Sequence, residues 1–280
     1  MNKKLTYTFI GAGSMAEAMV AGMLKSKLFE KKQVIVTNRS DTERLQYFKQ
    51  QYGVYGTHNQ AEALKNADVI ILAMKPKDVA VALDEIKPYI TEKQLLISVI
   101  AGVSTKSMED LLGIHIPIIR AMPNTSATIG QSATAISQGT YANEGHETIA
   151  ETLFLTIGTV SIVNEEDLHA VTGLSGSGPA YIYYLVEAME KAAVDLGLAK
   201  DVSKELILQT LIGAAEMLKS SPKQPATLRK EVMSPGGTTE AGLKVLEQYN
   251  YQEAMIQCIK RAATRSQELG VEIDAIMLKQ

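Results

Sequence analysis

The chain has 280 residues, a formal net charge of −3, and ordinary fractions of apolar (46%) and charged (21%) residues. These values give no indication of a surface for nucleic acid and are typical of a globular protein long enough for two domains. The single cysteine excludes an intrachain disulfide, and the sequence has neither an apolar leader nor an apolar run of about 18 residues. We therefore expect a cytoplasmic protein that does not bind membranes.

The first half of the sequence alternates short apolar, β-branched runs with helix-like segments, which is the pattern of a doubly wound α/β sheet. Runs such as Val69–Ala73 are apolar at every position, as expected for strands that helices cover on both faces of a parallel sheet. Ser40-Asp-Thr-Glu43 and Asn59-Gln-Ala-Glu62 have the form of capping boxes at helix starts. The predicted strands are Tyr7–Ile10, Gln33–Thr37, Val69–Ala73, Leu95–Val99, Pro117–Ala121, Ala133–Ser137 and Thr159–Val163.

The strand pattern stops after Val163, and long helical patterns follow at Ala180–Leu196, Ser203–Lys219 and Tyr251–Leu269. We therefore predict a Rossmann-type domain that binds NADP over residues 1–163. An all-helical domain for dimerisation and substrate binding is predicted over residues 164–280. A helical domain in this position often packs against a copy of itself, so we expect a homodimer.

A glycine-rich loop lies between the first predicted strand and the first predicted helix. Gly11 permits the tight turn, Gly13 lets the backbone approach a pyrophosphate, and the small Ala16 allows the helix to pack closely on the strand. The helix start at Ser14 and Met15 supplies free N–H groups and a positive dipole. The loop predicts a dinucleotide site, with a packing turn as the alternative.

The end of the second predicted strand indicates which dinucleotide is bound. NAD enzymes usually carry an acid there for the ribose 2′-hydroxyl, whereas this chain has Asn38, Arg39 and Ser40. These side chains can bond and neutralise a 2′-phosphate, so we predict NADPH as the cofactor and NADH as a weaker one. The alternative is that Arg39 is a solvated surface charge. Asp41, which follows, is explained more simply as a partner of the helix dipole.

Catalytic groups of common types are absent from the sequence pattern. The four histidines are scattered without metal-ligand spacing, so we expect no metal, and the sequence has no nucleophile elbow. Two segments, at Ala73–Pro76 and Arg120–Thr125, follow predicted strands at their carboxyl ends, where ligands of doubly wound sheets bind. Met122 and Pro123 are placed to pack against a nicotinamide, and Asn124 to bond its amide. A plain turn, and for Lys75 a solvated charge, are the alternatives.

Taken together, these stretches resemble the pyrroline-5-carboxylate reductase family over nearly the whole chain. The likeness is most specific at the last two of the following segments: Phe9–Ala18, Ala73–Pro76, Ala101–Gly102, Arg120–Thr125, Asp167–Tyr181 and Ser234–Thr239. Ser126 and Met233 depart from the residues common in the family. The cofactor contacts that we predict are Gly11, Gly13, Ser14, Met15, Asn38, Arg39, Ser40, Asn59, Ala73, Lys75, Ala101, Met122, Pro123 and Asn124.

The resemblance implies NAD(P)H-dependent reduction of L-1-pyrroline-5-carboxylate to L-proline, the last step of proline biosynthesis. It also implies an interlocked homodimer, which some members assemble into a decamer of five dimers. Thr239 is implied to hydrogen-bond the imine nitrogen as the catalytic side chain. Ser234 and the backbone N–H groups of Gly237 and Thr238 would bind the substrate carboxylate at a helix N-terminus.

Two other functions stay open on the sequence alone. One is a β-hydroxyacid dehydrogenase on the same architecture, in which a lysine such as Lys191 would transfer the proton. The Glu190-Lys191 setting is that of a solvated helix face. The other is a non-enzymatic NADPH-binding sensor or scaffold, for which the glycine-rich loop at Ser234–Thr239 would be superfluous.

Overall fold

The computed structural model describes residues 4–277 of the chain. Its strands are β1 (Tyr7–Ile10), β2 (Val34–Thr37), β3 (Tyr55–Thr57), β4 (Val69–Leu72), β5 (Leu95–Ser98), β6 (Ile118–Met122), β7 (Ser132–Gln138) and β8 (Gly158–Ile162). The seven predicted strands are confirmed, with each end within one residue of the prediction. The short strand β3 was not predicted.

The eight strands form one sheet in the order β3-β2-β1-β4-β5-β6-β7-β8. All neighbouring pairs are parallel except β6 and β7, which run antiparallel. The first six strands therefore give the doubly wound order, and the predicted Rossmann-type fold is confirmed. The carboxyl ends of β1, β2, β4, β5 and β6 meet at one edge of the sheet.

Twelve α-helices lie in the described part of the chain. They are α1 (Ser14–Lys25), α2 (Thr42–Tyr52), α3 (Gln60–Leu64), α4 (Val79–Ile86), α5 (Thr105–Leu112), α6 (Glu144–Phe154), α7 (Leu168–Val171), α8 (Gly178–Asp195), α9 (Lys200–Ser220), α10 (Pro225–Glu231), α11 (Thr238–Gln248) and α12 (Tyr251–Met277). None of them is long and apolar enough to cross a membrane.

Alternate residues of the central strands pack on opposite faces of the sheet. In β4, Val69 and Ile71 join one buried cluster, whereas Ile70 and Leu72 join the other. The same alternation runs through β1, β5 and β6. Because both faces are covered, β4 is apolar at every position, which is the pattern read from the sequence, whereas β1, β5 and β6 each include one buried polar residue, Thr8, Ser98 and Arg120.

Packing divides the chain into two compact units, and their boundaries differ from the domain boundary expected after residue 163. Unit 1 comprises residues 4–179 and 260–277, and unit 2 comprises residues 180–259. Residues 164–179 belong to unit 1 because Glu165 accepts hydrogen bonds from Thr105 and Arg120. The end of α12 belongs there too, since Ser266 bonds His169.

Unit 2 is entirely helical and buries few of its own side chains. Of its described residues, Ala193, Ser203 and Ile207 are the buried ones. Many large apolar side chains are exposed in the single chain, among them Tyr184 at 77%, Leu206 at 56% and Ile212 at 56%. An apolar surface of this extent is typical of a unit that folds against a partner.

Candidate active site

The glycine-rich loop joins β1 to α1 in the conformation that the sequence predicts. The Gly11 N–H donates to the Thr37 carbonyl at 2.8 Å, and the φ of Gly11 is +111°. A Cβ at this position would lie 2.5 Å from the Ala73 carbonyl oxygen, so only glycine fits. Gly13 precedes α1 without a side-chain cap, and Ala16 is fully buried. The first N–H groups of α1 are thus left for an anion.

Arg44 of α2 holds the carbonyl in the middle of this loop. Its Nε donates to the Ala12 oxygen at 2.6 Å, and its guanidinium pairs with Glu17 of α1. Glu17 also accepts hydrogen bonds from the hydroxyls of Tyr47 (2.8 Å) and Tyr52 (2.9 Å). Burial raises the pKa of Glu17, but these hydrogen bonds, with that of Arg44 the largest, hold it below its usual value. No local pattern in the sequence indicated this network.

A cavity of about 230 Å³ opens beside the loop, at the carboxyl end of β2. Within the described residues, Thr37 Oγ1 is the buried side-chain polar atom without a hydrogen-bond partner, and Thr37 lines this cavity. An unpaired buried hydroxyl beside a loop that only glycine can form fits a polar ligand such as the adenosine end of a dinucleotide. The cavity is lined by Ile10, Gly11, Thr37, Asn38, Arg39, Gln60, Met74, Asp78, Ala82 and Glu85.

The residues that follow β2 are arranged by α2. Asp41, not Ser40, caps this helix, since its carboxylate accepts from the Arg44 N–H at 2.9 Å. The capping box expected at Ser40 is therefore wrong by one residue. The side-chain amide of Asn38 donates to the Asp41 carbonyl and accepts from the Asp41 N–H. The Arg39 side chain is 65% exposed and pairs with Glu85.

Asn59 does not line the cavity, although we assigned it to the cofactor site. Its side chain caps α3 by accepting from the Glu62 N–H at 3.2 Å, which is one half of the predicted capping box. The Asn59 N–H donates to the Thr57 hydroxyl and not to Glu62, so the other half does not form. The next residue, Gln60, lines the cavity instead. A cofactor contact of Asn59 stays a prediction.

The predicted nicotinamide segment, at the carboxyl end of β6, packs on a π-helical turn at Thr172–Gly176. The Asn124 amide donates to the Ser175 carbonyl at 3.0 Å and accepts from the Ser126 N–H at 3.0 Å. Since both ends of this amide have partners, Asn124 holds the segment in place, and a direct bond to a carboxamide would require exchange of a partner. A Cβ at Gly176 would lie 2.6 Å from the Met122 Cε, so the glycine lets the π-helical turn approach Met122 closely.

Three further predicted contacts lie on loops at the same edge of the sheet. Ala73 follows β4, and its carbonyl is the atom against which Gly11 packs. Lys75 is exposed and precedes a turn of 3₁₀ helix. Ala101 precedes Gly102, whose φ is +83° and whose carbonyl packs against Gly270 of α12. The topology thus gathers the predicted contacts of unit 1 at the carboxyl ends of the strands.

In unit 2, the Ser234–Thr239 loop is a tight turn that leads into α11. The N–H of Gly237 donates to the Ser234 carbonyl at 2.9 Å, and the N–H of Gly236 donates to Glu240 at 2.6 Å. The turn thus uses the Gly237 N–H, so a bond from it to the substrate carboxylate would require exchange of this partner and stays a prediction. The N–H groups of Thr238 and Thr239 lie in the first turn of α11, where no carbonyl of the helix reaches them.

Glu240 brings negative charge close to this turn. A hydrogen bond from Lys244, with a smaller contribution from the Gly236 N–H, lowers the pKa of Glu240. Lys244 lies 2.8 Å away and offsets the charge. Lys191, the residue of the alternative dehydrogenase, is exposed in a groove with Glu187, Glu190 and Asp195, as expected of a solvated helix face.

Comparisons with known proteins cover both parts of the chain. Residues 6–102 match the family model described as NADP oxidoreductase, coenzyme F420-dependent. Residues 165–269 match the model described as pyrroline-5-carboxylate reductase dimerisation.

Relatives of known name match over nearly their full length. Pyrroline-5-carboxylate reductase 2 of Bacillus subtilis is 49% identical over 97% of this chain and 98% of its own. A solved pyrroline-5-carboxylate reductase of Coxiella burnetii is 38% identical, with a TM-score of 0.87 over 95% of this chain and 99% of its own. The Plasmodium falciparum enzyme, solved with NADP bound, is 28% identical with a TM-score of 0.87 over 95% and 98% of the two chains.

Proposed function

The chain belongs to the pyrroline-5-carboxylate reductase family, and on that premise we propose that it reduces L-1-pyrroline-5-carboxylate to L-proline with NADPH. The observation that carries the proposal is the combination, in one chain, of the glycine-rich loop at Gly11 and the turn at Ser234–Thr239. The first supplies a site for a dinucleotide, and the second places a hydroxyl and free N–H groups at a helix N-terminus. We place this activity in the cytoplasm, because the single cysteine suits a reducing compartment.

Unit 1 supplies the groups for the cofactor. The start of α1, at Ser14 and Met15, would bind the pyrophosphate beside Gly11 and Gly13. The cation for a 2′-phosphate is Arg39, with Asn38 and Ser40 beside it. The nicotinamide end would contact Ala73, Lys75, Ala101, Met122, Pro123 and Asn124. When bound, NADPH supplies the hydride that reduces the imine carbon, and the imine nitrogen gains a proton.

Unit 2 supplies the groups for the substrate. The Thr238 N–H and the Ser234 hydroxyl would bind the carboxylate at the positive end of α11. The Thr239 hydroxyl, half-buried one residue further on, would hydrogen-bond the ring nitrogen and orient the C=N bond. A hydroxyl is too weak an acid to protonate the imine alone, so Thr239 acts by orientation and by relay of a proton from water.

The Thr239→Ala variant tests this assignment. We expect it to lose turnover by about 10- to 1000-fold, with a smaller change in KM, since a hydrogen bond donated to the ring nitrogen tightens as hydride transfer moves electron density onto that nitrogen. Thr239→Ser keeps the hydroxyl and should restore most of the rate. Thr227→Ala removes an exposed threonine of the same unit and is the matched control. Wild-type kcat and kcat/KM in Thr239→Ala would refute the role.

The exposed apolar surface of unit 2 supports a homodimer. A second copy would cover it by the same residues on both chains, as two-fold symmetry requires. The match of residues 165–269 to a dimerisation model supports the same conclusion. A decamer of five such dimers stays a prediction. Sedimentation velocity distinguishes the monomer, dimer and decamer by mass, and a monomer at micromolar concentration would contradict the proposal.

A further inference from the structure

The cavity at the end of β2 contains a carboxylate that the proposed binding of NADPH does not require. Glu85 of α4 lines the cavity and accepts a hydrogen bond from the Arg39 Nη2 at 2.7 Å. Its other oxygen accepts from the Gln60 Nε2 at 3.0 Å. Glu85 is thus held over the cavity by two side chains, one of which is the cation assigned to the 2′-phosphate.

The charges around the cavity are unfavourable for a second anion. Of the described residues that line it, Arg39 is the cation, whereas Asp78 and Glu85 are acids. The hydrogen bond from Arg39 is the main cause that lowers the pKa of Glu85, so this carboxyl is ionised at neutral pH. A phosphate monoester carries a charge of about −1.5 to −2 at that pH. It would have to compete with Glu85 for the only guanidinium on this surface of the cavity.

We propose that Glu85 is a specificity-determining residue that limits the preference of the enzyme for NADPH over NADH by competing with the 2′-phosphate for Arg39. A ribose 2′-hydroxyl does not need the guanidinium and can donate to a carboxylate, as it does to the acid of NAD-binding sites. Glu85 therefore opposes NADPH without opposing NADH. This inference rests on the proposed cofactor site at Arg39.

The size of the effect follows from the exposure of the pair. The Arg39 side chain is 65% exposed and that of Glu85 37%, so solvent screens their attraction, and the pair falls in the range of surface ion pairs. Removing the acid both frees Arg39 and removes a like charge from the phosphate site. We expect about a threefold to tenfold gain in affinity for a 2′-phosphorylated ligand.

The test is calorimetric binding of adenosine 2′,5′-bisphosphate and of 5′-AMP to the full-length protein. Neither ligand contains a nicotinamide, so binding is read apart from turnover. Glu85→Gln should bind the bisphosphate about threefold to tenfold more tightly than the wild type and 5′-AMP equally well. Asp84→Asn makes the same charge change at an exposed position of α4 outside the cavity, and should alter neither affinity.

Two further variants separate failure of this inference from failure of the cofactor site. Arg39→Gln should weaken binding of the bisphosphate selectively. In Arg39→Gln/Glu85→Gln, the part of the gain that comes from freeing Arg39 should disappear, so the second change should improve binding less than it does in the wild type. If Arg39→Gln weakens binding but Glu85→Gln gains no more than Asp84→Asn, the role of Glu85 is overturned and the Arg39 site stands. If Arg39→Gln leaves the bisphosphate unaffected, the Arg39 site itself is overturned, and this inference with it.

Discussion

Replacing Glu17 with glutamine should lower the melting temperature of the protein by about 3–9 °C, because it removes the charge that three donors share. In the folded chain, Glu17 accepts hydrogen bonds from Arg44, Tyr47 and Tyr52. The side chains of Glu17 and Arg44 are 25% and 26% exposed, so the network is partly screened by solvent. Glutamine keeps the shape but leaves the guanidinium without its counter-charge.

The size of this fall in melting temperature follows from the hydrogen bonds that the substitution weakens. Hydrogen bonds to charged groups contribute about 1.5–3 kcal/mol when desolvated, and less at an exposed site. We assign about 1.5–3 kcal/mol to the whole network, and a chain of this size loses about 2–3 °C in melting temperature per kcal/mol. The melting temperature should be measured at one protein concentration, because the protein is an oligomer. Asp84→Asn, an exposed change of the same charge, should shift it by less than about 1 °C.

The effect of Glu17→Gln on the melting temperature should depend on pH. The pKa of Glu17 is lowered in the folded chain relative to its ordinary value of 4.5. The ionised carboxylate therefore stabilises the folded state fully above about pH 4.5, and this contribution is lost as the pH falls through the folded pKa. The difference between wild type and Glu17→Gln should shrink on acidification. Equal melting temperatures at neutral pH, or a difference that grows in acid, would show that Glu17 does not stabilise the fold as an ionised acceptor.

Three other substitutions have defined outcomes. Gly11→Ala should destabilise the chain by about 2–5 kcal/mol and weaken NADPH binding, since a Cβ at φ +111° would lie 2.5 Å from the Ala73 carbonyl oxygen. Thermal melts measure the loss of stability, and cofactor titration measures the loss of binding. Gly176→Ala should cost less than about 1 kcal/mol, because the flexible end of Met122 can move, but should raise the KM for NADPH. Ile212→Arg should convert the dimer to monomer in sedimentation, since a buried unpaired charge costs about 3–5 kcal/mol.

Two control variants make these outcomes interpretable. Gly130 has a φ of +74° with nothing within 4 Å of an added Cβ, so Gly130→Ala has the backbone strain without the clash and should be the milder change. Leu28→Arg places the same charge on an exposed apolar residue of unit 1 and should leave the sedimentation unchanged. If Leu28→Arg dissociates the protein as readily as Ile212→Arg, unit 2 is not the dimer surface.

Local patterns in the sequence predicted the sheet and the glycine-rich loop because each depends on short-range chemistry. Strands buried on both faces are nearly continuous apolar runs, and the turn at Gly11 needs a conformation that glycine alone adopts readily. The missed strand β3 contains Gly56 and is only three residues long, so it is too short to show a periodic pattern. The shift of the helix cap from Ser40 to Asp41 arises because both residue types cap helices well.

Other parts of the site depend on which elements meet in the fold. Arg44 reaches the Ala12 carbonyl only because α2 packs beside α1, and Glu85 reaches Arg39 only because α4 lies beside the end of β2. Arg44 and Ala12 are 32 residues apart in the chain, and Glu85 and Arg39 are 46 residues apart, so no local motif connects either pair. The hydrogen bond from the Gly237 N–H to the Ser234 carbonyl was not predicted, because it depends on how the turn folds.

Consumption of NADPH with L-1-pyrroline-5-carboxylate shows whether this chain reduces a cyclic imine. The purified protein should be assayed by loss of NADPH absorbance with this imine and, in parallel, with a panel of hydroxy- and keto-acids. We predict rapid turnover with the imine, formation of L-proline in equal amount to the NADPH consumed, and no turnover with the panel. Turnover with a hydroxy- or keto-acid but not with the imine would contradict the account.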